Sequence, residues 1–173
     1  MDTLPLHPAL VHLPVALAFI LPPLAILISV MLLRGVWPRS VWGVVLGLQI
    51  LTFGGALLAE RTGEQDEEKV EEVVPENAIH QHEELAERFT TFAGVMAGLT
   101  LLGLLLPERF ARYTWVPAST LLFVGTWFAY EVGHAGGTLV YRYNAGSVSS
   151  AAAGALPPTG AADAPGGEGE EDD

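Results

Sequence analysis

Four long apolar segments constrain the fold of this chain more than any other feature. They run approximately over residues 10–33, 41–59, 89–106 and 116–132, and Glu131 is the only Asp, Glu, Lys or Arg within them. Each approaches the roughly 20 residues that an α-helix needs to cross the hydrocarbon core of a bilayer. We therefore predict an all-α integral membrane protein, in which residues 1–143 form an up-down four-helix bundle.

The negative charge of the chain lies outside the apolar segments. The net charge is −12, and Glu60 to Arg88 contains eleven acidic and three basic residues. Residues 144–173 carry six more acidic residues in an Ala, Gly, Ser and Pro background, which predicts a disordered acidic C-terminal tail. The acidity argues against nucleic acid or anionic lipid as a partner and is typical of a solvated surface.

Several short motifs predict where the helices bend or end. Pro14 and the Pro22-Pro23 pair predict a bend in the first span, because interior prolines leave carbonyls without an N–H donor. The Arg61 to Gly63 segment predicts the end of the second span. The mixed charges of residues 66–74 favour a short surface helix that stops before Pro75.

The connections between spans predict the orientation in the membrane. Both short connections are basic and aromatic, which is typical of the cytoplasmic face, and the first apolar segment has the length of a retained span rather than of a signal peptide. Both termini and the long acidic connection would then lie on the extracytoplasmic side. The residues that carry this pattern are Arg34, Trp37, Arg39, Arg109, Arg112, Tyr113 and Trp115.

The same topology brings all five histidines to one rim of the bundle. They open the first span, precede the third and close the fourth: His7, His12, His80, His82 and His134. Histidine is the usual axial ligand of haem, so we treat all five as candidate cofactor-binding residues. His12 is the first choice because it lies one turn inside the apolar segment, facing His82 across a flat macrocycle. The alternative is a set of interfacial histidines satisfied by water and backbone, and His7 and His80 fit that alternative best.

A transition-metal site is a second interpretation of the same residues. Glu131 and His134 are three residues apart on one helical face, a spacing found in carboxylate-bridged metal sites. The ligands of a copper, zinc or iron ion would come from His12, His80, His82, His134 and Glu131. The glycines beside His134 predict either close approach of a large ligand or a glycine-rich end of the last helix. The absence of cysteine excludes disulfides, cysteine-ligated iron–sulfur clusters and covalently attached c-type haem.

The chain resembles a bacterial membrane family known as domain of unknown function 2231. The motifs that carry the resemblance are residues 7–15, His-Pro-Ala-Leu-Val-His-Leu-Pro-Val; residues 61–63, Arg-Thr-Gly; the His82-Glu83 pair; and residues 133–141, Gly-His-Ala-Gly-Gly-Thr-Leu-Val-Tyr. Over about residues 5–143, the resemblance implies a four-spanning protein of the bacterial cytoplasmic membrane. It also implies a respiratory setting with a c-type cytochrome or Rieske protein as partner, and it assigns no activity.

Three functions follow from this reading of the sequence. The first is a membrane electron-transfer protein that binds b-type haem near the outer face, with His12 and His82 as axial ligands and His134 as an alternate ligand. The second is a cofactor-free accessory or assembly subunit of a larger respiratory complex, whose acidic segments dock a cationic partner. The third is the transition-metal site. The sequence has no nucleophile with an adjacent base and no phosphate loop, so we expect a redox carrier or subunit rather than an enzyme.

Overall fold

The structure, a computed structural model, describes residues 6–71 and 73–146, and every element in those ranges is helical. A short helix α1 (Leu6–Leu10) leads into α2 (His12–Leu33), and a 3-10 turn (Arg39–Val41) precedes α3 (Trp42–Val70). The last two helices are α4 (Glu76–Leu105) and α5 (Glu108–Arg142). The all-α prediction is confirmed for these residues, whereas the predicted tail beyond residue 146 lies outside them.

The end of α2 is set by a glycine in the left-handed region. Gly35 has a φ of +68°, which a residue with a Cβ rarely adopts. The Gly35 N–H donates to the Leu32 carbonyl and the Val36 N–H to the Met31 carbonyl, both at 3.0 Å. This pair of bonds is a Schellman motif, which satisfies carbonyls that the helix end would leave unpaired. The chain then turns tightly toward α3.

The predicted helix stop at Arg61 to Gly63 is wrong, because α3 continues without interruption to Val70. The hydroxyl of Thr62 donates to the carbonyls of Leu58 and Ala59 at 2.9 Å, within the helix. A glycine inside a helix costs about 1 kcal/mol relative to alanine. The Gly63 position lies against His7, where a Cβ atom would be 3.2 Å from the imidazole. The separate surface helix predicted over residues 66–74 is therefore largely the last turn of α3.

The last helix is also longer than the sequence predicts. The fourth span was expected to end at residue 132, with a glycine-rich cap near His134, but α5 runs through Gly133, Gly136 and Gly137 to Arg142. The Thr138 hydroxyl donates to the His134 carbonyl at 3.0 Å inside the helix. The glycines therefore lie in the helix interior. The interpretation of this segment as a C-cap is wrong.

Each long helix packs against two others: α2 and α4 each contact both α3 and α5. At one end, the buried Trp42 indole of α3 donates to the Thr100 carbonyl of α4 at 3.0 Å. Farther along, the hydroxyls of Ser29 and Ser119 lie 2.9 Å apart between α2 and α5. The core between them is apolar: Leu21, Ala25, Ile28, Leu32, Trp42, Val45, Met96, Ala111, Trp115, Ala118 and Leu122.

One of the carbonyls freed by the proline pair has a partner on another helix. Pro22 has no N–H, so the Ala18 carbonyl four residues earlier lacks its helical donor. The Thr126 hydroxyl of α5 donates to that carbonyl at 2.7 Å. The bond joins α2 to α5 where the helical ladder of α2 is broken. It allows α2 to continue to Leu33 despite the proline.

Three helical stretches are long and apolar enough to cross a membrane: His7–Leu33, Arg39–Gln65 and Glu76–Leu105. Large apolar side chains also cover much of the outer surface, including Phe19, Ile20, Leu27, Val44, Ile50, Leu51, Leu58, Val95, Leu101, Leu102, Leu121, Phe123 and Trp127. A water-exposed helix would instead carry polar residues on that face. The fourth predicted span, within α5, is not among the three stretches and stays a prediction.

Candidate histidine site

His7 packs against the far end of α3. Its Nδ1 atom lies 2.7 Å from the Ala59 carbonyl oxygen, across 52 residues of sequence. A carbonyl only accepts hydrogen bonds, so Nδ1 carries the proton and Nε2 has the free lone pair. Histidines that bind metals commonly donate their second nitrogen to a carbonyl in this way. The contact thus fixes both the position and the tautomer of His7.

His82, in the second turn of α4, lies beside His7. The centroids of the two rings are 6.3 Å apart and the ring planes are nearly perpendicular, at 87°. The Val132 backbone of α5 hydrogen-bonds to the His82 ring. Even so, the buried Nδ1 atom of His82 has no hydrogen-bond partner among the described residues. An unpaired polar atom in a buried position is costly and calls for a ligand or a water molecule.

Two glycines make room for this histidine pair. A Cβ atom at Gly63 of α3 would lie 3.2 Å from both Cε1 and Nδ1 of His7. A Cβ atom at Gly136 of α5 would lie 3.1 Å from Cε1 of His82. Both distances are shorter than ordinary van der Waals contacts. Any larger side chain at either position would displace an imidazole, so each glycine belongs to the site.

The structure therefore joins the four sequence motifs in one place. The first motif contributes His7, the second Gly63, the third His82 and the last Gly136. They come from α1, α3, α4 and α5. We call these four residues the histidine site. Their convergence was predicted from topology for the histidines but not for the glycines.

The remaining histidines occupy different surroundings. His12, the first choice from the sequence, is the first residue of α2 and its side chain is exposed. His80 is exposed and lies 3.2 Å from a Glu83 oxygen and 3.4 Å from a Glu76 oxygen. His134 is exposed and stacks on Tyr130, with ring centroids 6.1 Å apart. The described ring contacts therefore pair His82 with His7, which the sequence analysis placed among the weakest candidates.

The proposed metal ligands do not form a cluster within the described ranges. Residues 6–71 and 73–146 contain no group of three or more His, Asp or Glu side chains arranged to hold a metal ion. His134 and Glu131, although three residues apart on α5, are not joined there by His12 or His82. The transition-metal interpretation stays a prediction without added support.

Acidic residues lie close together where α3 ends and α4 begins. The pKa of the Glu67 carboxyl is raised, first by the charge of Glu83 and further by that of Glu71. Glu67 and Glu83 also share a hydrogen bond, which requires a proton on one of the two carboxyls. This end of the molecule therefore carries a strong negative potential beside the histidine site.

Only some residues of the histidine site have a recognisable sequence pattern. The His-Pro-Ala-Leu-Val-His motif contains His7, but its position outside the apolar segment favoured water as its partner. The carbonyls of Ala59 and Val132 have no sequence signature, because any residue supplies a carbonyl. The role of Gly63 was missed because a glycine just after an apolar segment, here in Arg61-Thr62-Gly63, is typical of a helix end.

Comparison with known proteins gives no assignment. No protein-family model, no curated protein and no solved structure matches this chain. The resemblance to domain of unknown function 2231 stays a prediction. The function must be argued from the geometry of the chain itself.

Proposed function

We propose that this protein is a small membrane electron-transfer protein that binds b-type haem through His7 and His82. Three helical stretches with the length and apolarity of membrane spans support the membrane location. Their apolar outer faces, and the exposed Trp127 and Tyr130 on α5, suit contact with lipid and with the interface. In this proposal α5 is the fourth span of an up-down bundle. The basic turns face the cytoplasm, and the histidine site faces the outside.

The observation that carries the haem proposal is the His7–His82 pair. Their ring centroids are 6.3 Å apart, so the two imidazoles would hold the same group. The chemistry of the donors also fits, since His7 holds its proton on Nδ1 and His82 has an unpartnered buried Nδ1. His7 thus replaces His12 as the proposed partner of His82.

The residues of the chain have defined tasks in this proposal. When bound, b-type haem would supply one-electron transfer. His7 and His82 would hold it, the Ala59 carbonyl would orient His7, and the Val132 backbone would orient His82. Gly63 and Gly136 would keep the ligand rings in place by leaving room for them. A c-type cytochrome or Rieske protein is the proposed redox partner.

An absorption spectrum of the detergent-purified protein from haem-replete cells tests the proposal. We expect a Soret band, with α and β bands on dithionite reduction, and loss of most of the haem in His82→Ala. His80→Ala is the matched control, because His80 is on the same helix but exposed, and it should keep the haem of the wild type. A featureless wild-type spectrum, or equal haem in both variants, would overturn the proposal.

The acidic end of α3 and α4 favours a second candidate function, an accessory subunit that docks a cationic protein. The carboxyls of Glu83 and Glu71 lie near Glu67, and their charges raise its pKa. Such a surface steers and orients basic partners. This function needs no cofactor, and it is compatible with the same membrane location.

Replacing acidic residues by glutamine distinguishes the accessory-subunit function from the haem-binding function. Because α3 is continuous to Val70, deleting residues of the acidic segment would damage the helix, so Glu64→Gln combined with Glu71→Gln is the better change. Association with a basic cytochrome should weaken, and the difference should shrink as salt rises. Unchanged association at low salt would remove this candidate. The haem spectrum of the variant should equal that of the wild type.

A further inference from the structure

A groove of about 390 Å³ lies between α3 and α4, on the side away from the bundle core. It is distinct from the histidine site, since none of the residues that line it belongs to that site. Phe53 and Leu57 of α3 and Val95 of α4 form its apolar part. Glu60 and Glu87, with the buried Thr90, form its polar part.

The groove is polar at one end and apolar at the other. Along α3, Glu60 lies closer to the histidine end than Phe53 does. Along α4, Glu87 lies closer to that end than Val95 does, because α4 begins there. In the proposed membrane orientation the carboxylates are therefore near the outer interface, and the apolar part lies deeper. A single lipid chain with its head group has the same polarity.

Glu60 determines which head group would fit. Its Oε2 atom is buried and accepts no hydrogen bond from any described residue. A buried carboxylate oxygen without a donor is unfavourable, and a charged N–H donor is its strongest complement. Glu87 adds a second negative charge at the same end of the groove. A head group with a cationic N–H donor satisfies both observations, whereas a head group with a net negative charge would be repelled.

We infer that this groove binds a lipid whose head group carries a primary ammonium, with the ammonium on Glu60 and Glu87 and an alkyl chain along Phe53, Leu57 and Val95. The inference rests on the proposed membrane location but not on haem. The glycine at position 94 shapes the groove, because a Cβ atom there would lie 2.9 Å from the Phe53 ring. Phe53, which lines the groove, would have to shift if this glycine were replaced.

Calorimetric titration of the protein, purified in a neutral maltoside detergent, with dodecylammonium tests the inference. We expect saturable binding at one site. Dodecyltrimethylammonium has the same charge and chain but no N–H donor, and it should bind about tenfold more weakly. Equal binding of the two amphiphiles, or no saturable binding of either, would overturn the inference.

Substitution of Glu60 and Glu87 tests whether dodecylammonium binds in this groove. Glu60→Gln should weaken dodecylammonium binding about tenfold, and Glu87→Gln should weaken it as well. Glu84→Gln is the matched control, since Glu84 is exposed on α4 beside Arg88, and it should bind like the wild type. If Glu60→Gln fails to fold, as judged by circular dichroism, Glu87→Gln decides alone. Wild-type affinity in a folded Glu60 or Glu87 variant would contradict the inference.

Two further measurements identify the natural lipid in the groove and separate this inference from the proposed membrane location. Native mass spectrometry should retain phosphatidylethanolamine in preference to phosphatidylglycerol, and the reverse preference would contradict the inference. The titration is done in detergent and does not require the haem spectrum. Failure of amphiphile binding with an intact Soret band would therefore remove the groove proposal alone, and recovery of the protein in the soluble fraction would remove the membrane proposal.

Discussion

At the scale of single residues, the histidine site depends on two contacts that leave little room for change. The His7 imidazole bonds to the Ala59 carbonyl, and the His82 imidazole lies against Gly136. Sequence reasoning predicted that histidines would gather at this end, because topology alone requires it. It could not select His7 over His12, since the choice depends on which side chain turns inward. That orientation is decided by packing against α3 and not by position in the apolar segment.

Adding one methyl group beside His82 should disturb the site. In Gly136→Ala the new Cβ atom would lie 3.1 Å from His82 Cε1, so the imidazole must shift. We expect a lower haem content and an altered Soret position by absorption spectroscopy. Gly137→Ala is the matched control, because no atom lies within 4 Å of a Cβ there. Identical spectra for the two alanine variants would count against Gly136 as part of the site.

At the scale of helices, contacts between elements override local signals for helix breaks. Gly63 and the α5 glycines are typical of helix ends, yet both helices continue, and Gly63 and Gly136 each lie against a histidine of another element. The presence of the first three apolar helices could be predicted, since a continuous apolar run has few alternatives, although α4 begins at Glu76, well before the predicted span over residues 89–106. The ends of α3 and α5 could not, because their stability comes from partners distant in sequence.

The bond between Thr126 and Ala18 should contribute measurably to stability. In Thr126→Ala the carbonyl freed by Pro22 loses its donor, and we expect a loss of about 1 kcal/mol in the free energy of unfolding. Thr120→Ala is the control, because the exposed Thr120 hydroxyl donates only to Val116 of its own helix. Equal denaturation curves in detergent for the two variants would show that the interhelical bond contributes nothing.

The close carboxyls of α3 and α4 predict a pH-dependent effect. Glu67 has a raised pKa in the folded state, first because of Glu83, so folding is opposed when both groups are ionised and this opposition fades as the pH falls through that pKa. Glu67→Gln should therefore raise the melting temperature at pH 7 by about 1–2 °C. The gain should disappear below roughly pH 4, where the carboxyls are protonated in both states. An equal gain at both pH values would contradict this explanation.

At the scale of the whole molecule, the proposal requires the two ends of the bundle to lie on opposite sides of a membrane. The chain has no cysteine, so a single introduced cysteine reports one position without background. In intact bacterial cells, Asn77→Cys at the histidine end should react with an impermeant maleimide, and Arg109→Cys at the basic end should not. Labelling of Arg109→Cys alone would show that the orientation is the opposite of the proposed one. Equal labelling of both variants would exclude a membrane-spanning arrangement.

His7 and His82 are proposed as the two ligands of one haem, and replacement of a deleted ligand by free imidazole tests this assignment. In His7→Gly and His82→Gly, the absorption spectrum of the wild type should be lost and then restored by added imidazole, while His12→Gly should keep it without imidazole. A wild-type spectrum in His7→Gly without imidazole, or its loss in His12→Gly alone, would contradict the account and return His12 to the position that the sequence first gave it.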